Sequence, residues 1–419
     1  MEEWKDYNIS NAPRYPLTDL LEFIVDNRGK TVPTSSTGIA LIATNCIRNE
    51  YLYPLYEKVR FVSDDTYKTW FRSHPQPGDI IFVNKGTPGR TALVPDPVDF
   101  CIAQDMMAFR VKKELVDNKY LLAVLRCREF QLFIANSQVG TIIPHFKKEQ
   151  LKSLLIPLPS MEVQQRIGDF YYSFSQKIEV NKRINENLEQ QAQALFKSWF
   201  VDFEPFKDGE FVESELGMIP KGWRVGTLDQ IGEIIGGGTP SKAKQEYYTE
   251  KGIAWLTPKD LSVSKEKFTS RGEIDITEIG YKNSSAKLMP RGTVLFSSRA
   301  PIGYISIAKN EICTNQGFKS IVPKIAGTAY IYYYLKSTTK DIENKATGST
   351  FKEASGSLMK SLPLVISPKS VYEQFENLVE PIFSKQEILE DESRRLAELR
   401  DTLLPRLMSG ELKINEIKN

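Results

Sequence analysis

The fold is decided by a stretch that the chain contains twice, first as "PGDIIFVNKGTPGRTALV" at residues 77–94 and again as "RGTVLFSSRAPIGYISIA" at residues 291–308. Each copy has two short apolar runs on either side of a glycine-bearing loop, which is the pattern of paired β-strands. Longer stretches such as "DNKYLLAVLRCREFQLFIAN" and "TAYIYYYLKSTTKDIEN" follow each copy and predict helices. The repeated unit is therefore of mixed α and β structure.

The repeat extends over nearly the whole chain. "GIALIATNCI" from Gly38 matches "GIAWLTPKDL" from Gly252, and "CIAQDMMAF" from Cys101 matches "CTNQGFKSI" from Cys313. The matching segments occur in the same order with nearly constant spacing, and their period is too long for a solenoid. We infer two copies of a complete domain, which suits two related ligands or one ligand with two similar sites.

A long heptad pattern follows each copy of the domain and predicts two coiled-coil helices. We expect the two helices to pair antiparallel and to relate the two domains by a pseudo-twofold axis. The polar residue Asn181 is expected to fix the register of the pair. The predicted seam consists of Ile167, Phe170, Phe174, Asn181, Ile184, Leu188 and Leu195 in the first helix and Phe375, Leu378, Ile382, Leu389, Leu396 and Leu403 in the second.

Composition excludes several classes of protein. The chain has 419 residues, only two histidines, and four cysteines, none of them in a CxxC pair. These counts argue against a metal site and favour buried thiols in a reducing compartment. The start of the chain does not resemble a signal peptide, and no apolar run is long enough to span a membrane, so we expect a cytoplasmic protein. The net charge is only +2, so a nucleic-acid surface requires local clustering of cations.

The tripeptide Gly29-Lys30-Thr31 has the ending of a phosphate-binding P-loop. A complete P-loop also needs a glycine five positions earlier, where Ile24 stands, and a helix directly afterwards, where "VPTSSTG" follows. The matching region of the second copy is "GGGTPSK" at residues 236–242. Both versions predict a rigid basic loop whose amides and cation suit a DNA phosphate. The alternative is a structural turn with solvated lysines.

Residues that suit DNA contacts occur in both copies. Arginine, lysine, asparagine and glutamine can read base edges, and the cations among them can also bind phosphates. Lys85 and Arg299 fall within one residue of each other in the alignment of the copies. The candidates are Arg28, Lys30, Asn45, Lys85, Arg90, Gln104 and Lys147 in the first copy and Lys242, Lys244, Lys259, Arg299, Asn315, Gln316 and Lys352 in the second.

Several motifs make the chain resemble the specificity subunit of type I restriction-modification systems. They are "LFKSWFVDFEPF" at residues 195–206, "GMIPKGWRVGTLDQI" at 217–231, "GGGTPS", "IPLPSMEVQQRI" at 156–167, and "LRDTLLPRLMSGEL" at 399–412. With the duplicated layout they cover nearly the full length. One departure is the segment "PLVISPKSVYEQF", which is less regular than its partner in the first copy.

The resemblance implies an α+β protein with two tandem target-recognition domains, each reading half of a bipartite double-stranded DNA target. We expect the first recognition domain at residues 1–155, the first helix at 156–205, the second recognition domain at 206–365, and the second helix with the tail at 366–419. The helices would bind two modification subunits, which methylate adenine, and restriction subunits would join them. S-adenosylmethionine, ATP and Mg²⁺ are expected in those partners and none in this chain.

The sequence fits a non-catalytic subunit, because it contains neither a complete P-loop nor any Pro-Pro pair such as a methyltransferase motif requires. Two alternatives are weighed against a DNA reader. One is a coiled-coil adaptor without a DNA role. The other, with less support, is a divergent P-loop NTPase.

Overall fold

The computed structural model describes residues 12–27, 30–137, 144–299, 301–348 and 352–412. The chain divides into two compact units. The first unit consists of two segments, the chain up to Asn181 and the chain from Glu392 onward. The second unit is Lys182–Asp391.

The first unit is built from short strands and helices, and it contains the first part of a long helix. Its strands are β1 Arg14–Pro16, β2 Leu21–Asp26, β3 Ile39–Ile42, β4 Arg60–Val62, β5 Ile80–Val83, β6 Thr91–Leu93, β7 Phe100–Ile102, β8 Met106–Val111 and β9 Leu155–Pro157. Its helices are α1 Asp64–Thr69, α2 Asn118–Arg126, α3 Arg128–Asn136 and the beginning of α4 Met161–Phe200. Helix α2 begins after Asp117, whose carboxylate accepts a hydrogen bond from the Tyr120 amide and so caps the helix.

The centre of the first unit is an antiparallel sheet in the order β2-β8-β5-β6. A second sheet has the order β4-β3-β7, and its strands β3 and β7 run parallel. Strand β5 is apolar throughout because both of its faces are covered. Ile80 and Phe82 pack into a core that includes α2, whereas Ile81 and Val83 pack against the three-stranded sheet. Successive side chains of a strand point to opposite faces, so one apolar run serves two cores.

The second unit contains the rest of α4 and a similar set of short elements. Its strands are β10 Phe211–Ser214, β11 Gly217–Pro220, β12 Arg224–Thr227, β13 Gly232–Gly236, β14 Tyr248–Thr249, β15 Trp255–Leu256, β16 Phe268–Thr269, β17 Asp275–Ile276, β18 Val294–Phe296, β19 Ile305–Ala308, β20 Cys313–Thr314, β21 Lys319–Pro323 and β22 Pro363–Ile366. Its helices are α5 Leu228–Ile231, α6 Pro258–Val263, α7 Glu278–Lys282, α8 Thr328–Lys345, α9 Gly356–Lys360 and the first part of α10 Lys369–Met408.

The second unit repeats the sheet design of the first. Its sheet has the order β13-β21-β18-β19-β16, in which the first four strands correspond to β2-β8-β5-β6, and β15 runs parallel to β20 as β3 does to β7. Small features repeat as well. The Gly78 amide donates to the Val94 carbonyl at 3.0 Å, and the Gly292 amide donates to the Ala308 carbonyl at 2.8 Å. The predicted duplication of a mixed α/β domain is confirmed.

The long helices α4 and α10 pair antiparallel within the first unit. The Asn181 side-chain amide donates to the Glu392 carboxylate at 2.8 Å, and the Arg400 guanidinium donates to the Ser175 hydroxyl at 3.2 Å. Residue numbers therefore rise along one helix as they fall along the other. Asn181 is fully buried in the helix pair, where a polar group restricts the choice of register.

The same antiparallel pairing holds within the second unit. The Asn185 side-chain amide donates to the Gln386 carbonyl at 3.4 Å, and the rings of Phe200 and Phe375 lie edge to face at 5.0 Å. Helix α10 continues through Pro381, which has no amide hydrogen to donate. Apolar residues on either side of this proline, Val379 and Phe383, are buried and hold the helix in place.

The buried face of the helices differs in part from the predicted seam. Ile184 and Leu378 are exposed, at 37% and 48%, and are not seam residues. In their place Val379 and Phe383 are buried, because α10 packs against tyrosines of α8 as well as against α4. Of the other predicted seam residues, Ile167, Asn181, Phe375 and Leu389 are buried, whereas Phe170, Phe174, Leu188, Leu195, Ile382, Leu396 and Leu403 are half-buried.

Candidate nucleic-acid interface

Each unit carries a cation and a glutamine at the same place beyond its central pair of strands. Val83 of β5 pairs with Met106 of β8, and the Asn84 amide donates to the Asp105 carbonyl at 3.1 Å just beyond the strands. Lys85 comes next and forms an antiparallel bridge to His145, and Gln104 lies in the turn that leads into β8.

The second unit has the same arrangement with arginine as the cation. Ser297 pairs with Phe318, and the Ser298 amide donates to the Gly317 carbonyl at 2.7 Å. Arg299 comes next and forms an antiparallel bridge to Glu353, and Gln316 lies in the turn that leads into β21. Lys85 and Arg299 therefore occupy equivalent positions in the two units.

Acidic residues that the sequence analysis missed hold both cations. Lys85 Nζ lies 3.9 Å from a carboxylate oxygen of Asp105, and Arg299 Nε lies 3.0 Å from Glu353 Oε2. Lys319 Nζ reaches the other Glu353 oxygen at 3.4 Å. Burial would raise the pKa of Glu353, but the hydrogen bonds and charges of Arg299 and Lys319 outweigh it and lower the pKa.

The glycine-rich loop of the second unit lies directly against the strand that carries Gln316. The Gly238 amide donates to the Thr314 carbonyl at 2.8 Å, and the Thr239 hydroxyl donates to the Gln316 side-chain oxygen. A β-carbon on Gly237 would lie 2.0 Å from the Asn315 carbonyl oxygen, so only glycine fits there. The Trp255 indole donates to the Gly238 carbonyl at 3.0 Å and fixes the loop further.

In the first unit a side chain, and not a loop amide, donates to the equivalent strand carbonyl. The Asn27 side chain donates to the Ile102 carbonyl at 2.8 Å, in the place that the Gly238 amide occupies in the second unit. Lys30 is exposed just beyond, and Lys242 is exposed in the second unit's loop. Arg28 and Gly29 lie outside the described residues. The described residues directly after Lys30-Thr31 form no helix, and the first α-helix of the described chain is α1, so the P-loop interpretation is wrong.

The structure brings some of the remaining candidates to this surface and gives others local partners. Asn315 follows β20 directly, and its amide donates to the Leu256 carbonyl at 2.9 Å. Arg90 is half-buried and directed at the Ile47 carbonyl, at 3.5 Å, so its guanidinium supports the fold. The other candidates have these positions: Asn45 donates to the Glu57 carbonyl, Lys259 pairs with Glu273, Lys244 donates to the Tyr247 hydroxyl, Lys352 donates to the Glu343 carbonyl, and Lys147 is exposed.

The described residues offer no group of side chains for a metal and no helix for a membrane. They contain no group of three or more histidine, cysteine, aspartate or glutamate side chains that could hold a metal ion. Within the same ranges, no helix is both long enough and apolar enough to cross a membrane. Both units share a cation and a glutamine beyond their central strands, and these side-chain types are suited to DNA.

The sequence profile of the "Type I restriction modification DNA specificity domain" matches the chain twice, at residues 15–190 and 220–389. The chain belongs to this family. It is a specificity subunit, the non-catalytic component of a type I restriction-modification system, with two tandem target-recognition domains. The two matched regions correspond to the duplication found in the sequence and in the two sheets.

The specificity subunit is similar to curated proteins of the same name. It is 26% identical to the type I restriction enzyme HindI specificity subunit of Haemophilus influenzae over 98% of this chain and 100% of that protein. It is 42% identical to the MjaIX specificity subunit of Methanocaldococcus jannaschii, over 43% of this chain and 44% of that one. The crystal structure of a type I S subunit from M. genitalium shares the fold, with a TM-score of 0.59, 17% identity, and coverage of 95% of this chain and 96% of that chain.

Proposed function

We propose that each recognition domain of this specificity subunit reads one half of a bipartite double-stranded DNA target. The observation that carries the proposal is that each unit places a cation just after β5 or β18 and a glutamine in the turn before β8 or β21, namely Lys85 with Gln104 and Arg299 with Gln316. Both pairs consist of side chains that read base edges in the major groove. Two domains with one design and different side chains suit two half-sites of different sequence.

The exposed lysines beside these pairs suit a second role. Lys30 lies on the loop between β2 and β3 and Lys242 on the loop between β13 and β14, and both side chains are exposed. Cations in such positions bind phosphates and set the position of the protein on DNA without reading its sequence. We assign them to the DNA backbone, and assign the cation–glutamine pairs to the bases.

The long helices α4 and α10 suit the scaffold role in this proposal. They carry exposed apolar side chains beyond those that pair the helices, among them Val180 and Leu399 in the first unit and Ile388 in the second. We propose that the helices hold two modification subunits and that restriction subunits join these. In this scheme S-adenosylmethionine, ATP and Mg²⁺ are bound by the partner subunits.

Methylation mapping tests the proposal directly. The specificity subunit is expressed with its modification subunit in a host without other adenine methylation, and methylated adenines are located by single-molecule sequencing. We expect one motif with two specified parts and a fixed unspecified gap between them. A continuous motif would overturn the bipartite assignment, and methylation that does not depend on the specificity subunit would favour an adaptor without a DNA role.

A further inference from the structure

We propose that Arg299 and Gln316 together recognise a guanine through its major-groove edge, and that Glu353 is the positioning residue for the arginine. This inference rests on the proposed function, because it assumes that the second domain reads half of the DNA target. It goes further by assigning the base and the groups that read it.

Both side chains offer hydrogen-bond donors. A guanidinium has five N–H donors and no acceptor. The side-chain oxygen of Gln316 already accepts from the Thr239 hydroxyl, so its amide nitrogen is the group left to face a ligand. Guanine presents two acceptors, N7 and O6, in the major groove, whereas adenine and cytosine each present an amino donor there and thymine presents one acceptor beside its methyl group. Donors from both side chains therefore suit guanine best.

The carboxylate of Glu353 argues for a base contact over a phosphate contact. It lies 3.0 Å from Arg299 Nε and offsets the positive charge of the guanidinium. A phosphate would meet this carboxylate's repulsion, whereas the neutral acceptors of a guanine meet little. The exposed Lys242 shares the same surface without a comparable acidic partner among the described residues, and it suits a phosphate.

The backbone beneath the pair is held tightly enough for a bidentate contact. Both the amide and the hydroxyl of Ser298 donate to the Gly317 carbonyl, at 2.7 and 3.1 Å. The Gly317 amide donates to the Asn315 side chain at 2.8 Å. The backbone of Arg299 also forms an antiparallel bridge to Glu353. A side chain fixed by its neighbours loses less conformational freedom when it binds and discriminates more sharply.

The first domain has a weaker version of the same reader. Lys85 occupies the place of Arg299, but its ammonium is 3.9 Å from Asp105 and about half of the lysine side chain is exposed. A lysine is a flexible point charge, whereas the planar arginine fork matches two acceptors at once. We therefore expect Lys85 to favour guanine in its half-site with less discrimination than Arg299.

The test compares three variants of the second domain, each in the full complex with modification subunits. Arg299→Ala, Gln316→Ala and Glu353→Gln are assayed by methylation mapping, with Lys324→Ala as the matched control. Lys324 forms an exposed ion pair with Glu233 at the other end of β21, so its loss changes surface charge but not the reader.

We expect Arg299→Ala to relax one guanine position of one half-site by about 10- to 100-fold and to leave the other half-site unchanged. Gln316→Ala should relax the same position. Glu353→Gln should lower the preference for guanine there while thermal unfolding and the other half-site stay as in the wild type, which a merely structural role would not produce. Lys324→Ala should leave the motif unchanged.

Two outcomes would overturn the assignment. A uniform loss of binding on all sequences in Arg299→Ala, with a shallower dependence on salt, would make the residue a phosphate contact. Relaxation at a position where the wild type does not specify guanine would make the assigned base wrong. In both cases the wild-type motif remains bipartite, so failure of this inference is distinguishable from failure of the proposed function.

Discussion

Lys267 Nζ lies 2.7 Å from Glu189 Oε2, and the lysine is only 7% exposed. The ammonium also donates to the Tyr333 hydroxyl at 3.1 Å and lies 3.7 Å from the centre of the Phe383 ring. Glu189 belongs to α4 and Phe383 to α10, so one buried lysine ties the β16 edge of the second recognition domain to both long helices of that unit.

The first prediction is that Lys267→Ala destabilises the second unit. Removing one partner of a buried ion pair leaves the other charge poorly compensated, so we expect a loss of about 3 kcal/mol in the free energy of unfolding. Urea unfolding of the second unit measures this loss. The exposed pair of Lys324 and Glu233 supplies the control, and Lys324→Ala should cost less than about 1 kcal/mol. Equal effects of the two substitutions would contradict the role given to Lys267.

The second prediction concerns pH. The Glu390 carboxylate accepts from the amides of Lys267 and Phe268, at 2.8 and 3.1 Å. Burial raises its pKa from 4.5 to about 7, against the effect of these two hydrogen bonds, and the charges of Glu266 and Lys267 act in opposite directions.

The direction of the pH effect follows from that shift. The Glu390 carboxyl keeps its proton to a higher pH in the folded chain than in the unfolded chain. The protonated carboxyl therefore contributes its full stabilisation of the fold below pH 4.5, and this contribution is lost as the pH rises toward 7. We expect the fall in stability between pH 5 and 7 to be smaller in Glu390→Gln, which cannot ionise, than in the wild type. Urea midpoints across this range provide the comparison. Identical pH profiles would show that Glu390 does not titrate there.

The two charged groups next to Glu390 have pKa values outside the range of pH 5–7. Burial lowers the pKa of Lys267 to about 8, although Glu189 opposes it. Burial would raise the pKa of Glu189, but Lys267 and Lys336 outweigh it and lower the value to about 2. The difference between wild type and Glu390→Gln at pH 5–7 therefore reports on Glu390.

The third prediction is that Lys242→Ala or Lys30→Ala weakens binding about equally on all DNA sequences. Loss of one phosphate contact should reduce the slope of log binding constant against log salt by about 0.9. Titrations of the complex against specific and unrelated duplexes, at several salt concentrations, measure both quantities. A change in sequence preference would reassign the lysine to base reading.

The fourth prediction uses two neighbouring glycines. A β-carbon on Gly237 would lie 2.0 Å from the Asn315 carbonyl oxygen, whereas one on Gly236 would meet nothing within 4 Å. Gly237→Ala should displace the loop that holds Gln316 and reduce discrimination in one half-site by about tenfold, the value of one base contact. Gly236→Ala should bind and discriminate as the wild type does. Methylation mapping compares the two, and matching losses would exclude a role for this close packing.

The duplicated sheet design could be predicted from the sequence because its signal is local. Strands β5 and β18 are short apolar runs, each followed by a glycine loop, and neither pattern depends on distant residues. The equivalence of Lys85 and Arg299 was visible in the sequence, because each is the ninth residue of its copy of the repeated stretch, and both follow the corresponding strand in the structure.

The acidic partners and the helix seam could not be predicted in the same way. Glu353 comes after helix α8 in the sequence, whereas Arg299 comes before it. The contact between them therefore exists only once the sheet and helix have packed. Leu378 satisfies the heptad but is exposed, because α10 turns Val379 and Phe383 toward the tyrosines of α8. A heptad describes one helix packed on another and misses a third element on the same face.

Domain exchange measures most directly whether each recognition domain reads its own half of the target. Residues 207–360, which lie within the second unit, are replaced by the corresponding residues of a related specificity subunit of known motif, and the hybrid is mapped with the same modification subunits. We expect one half of the methylated motif to change to that of the donor while the other half stays as in the wild type. A change in both halves, or an unchanged motif in an active hybrid, would contradict it.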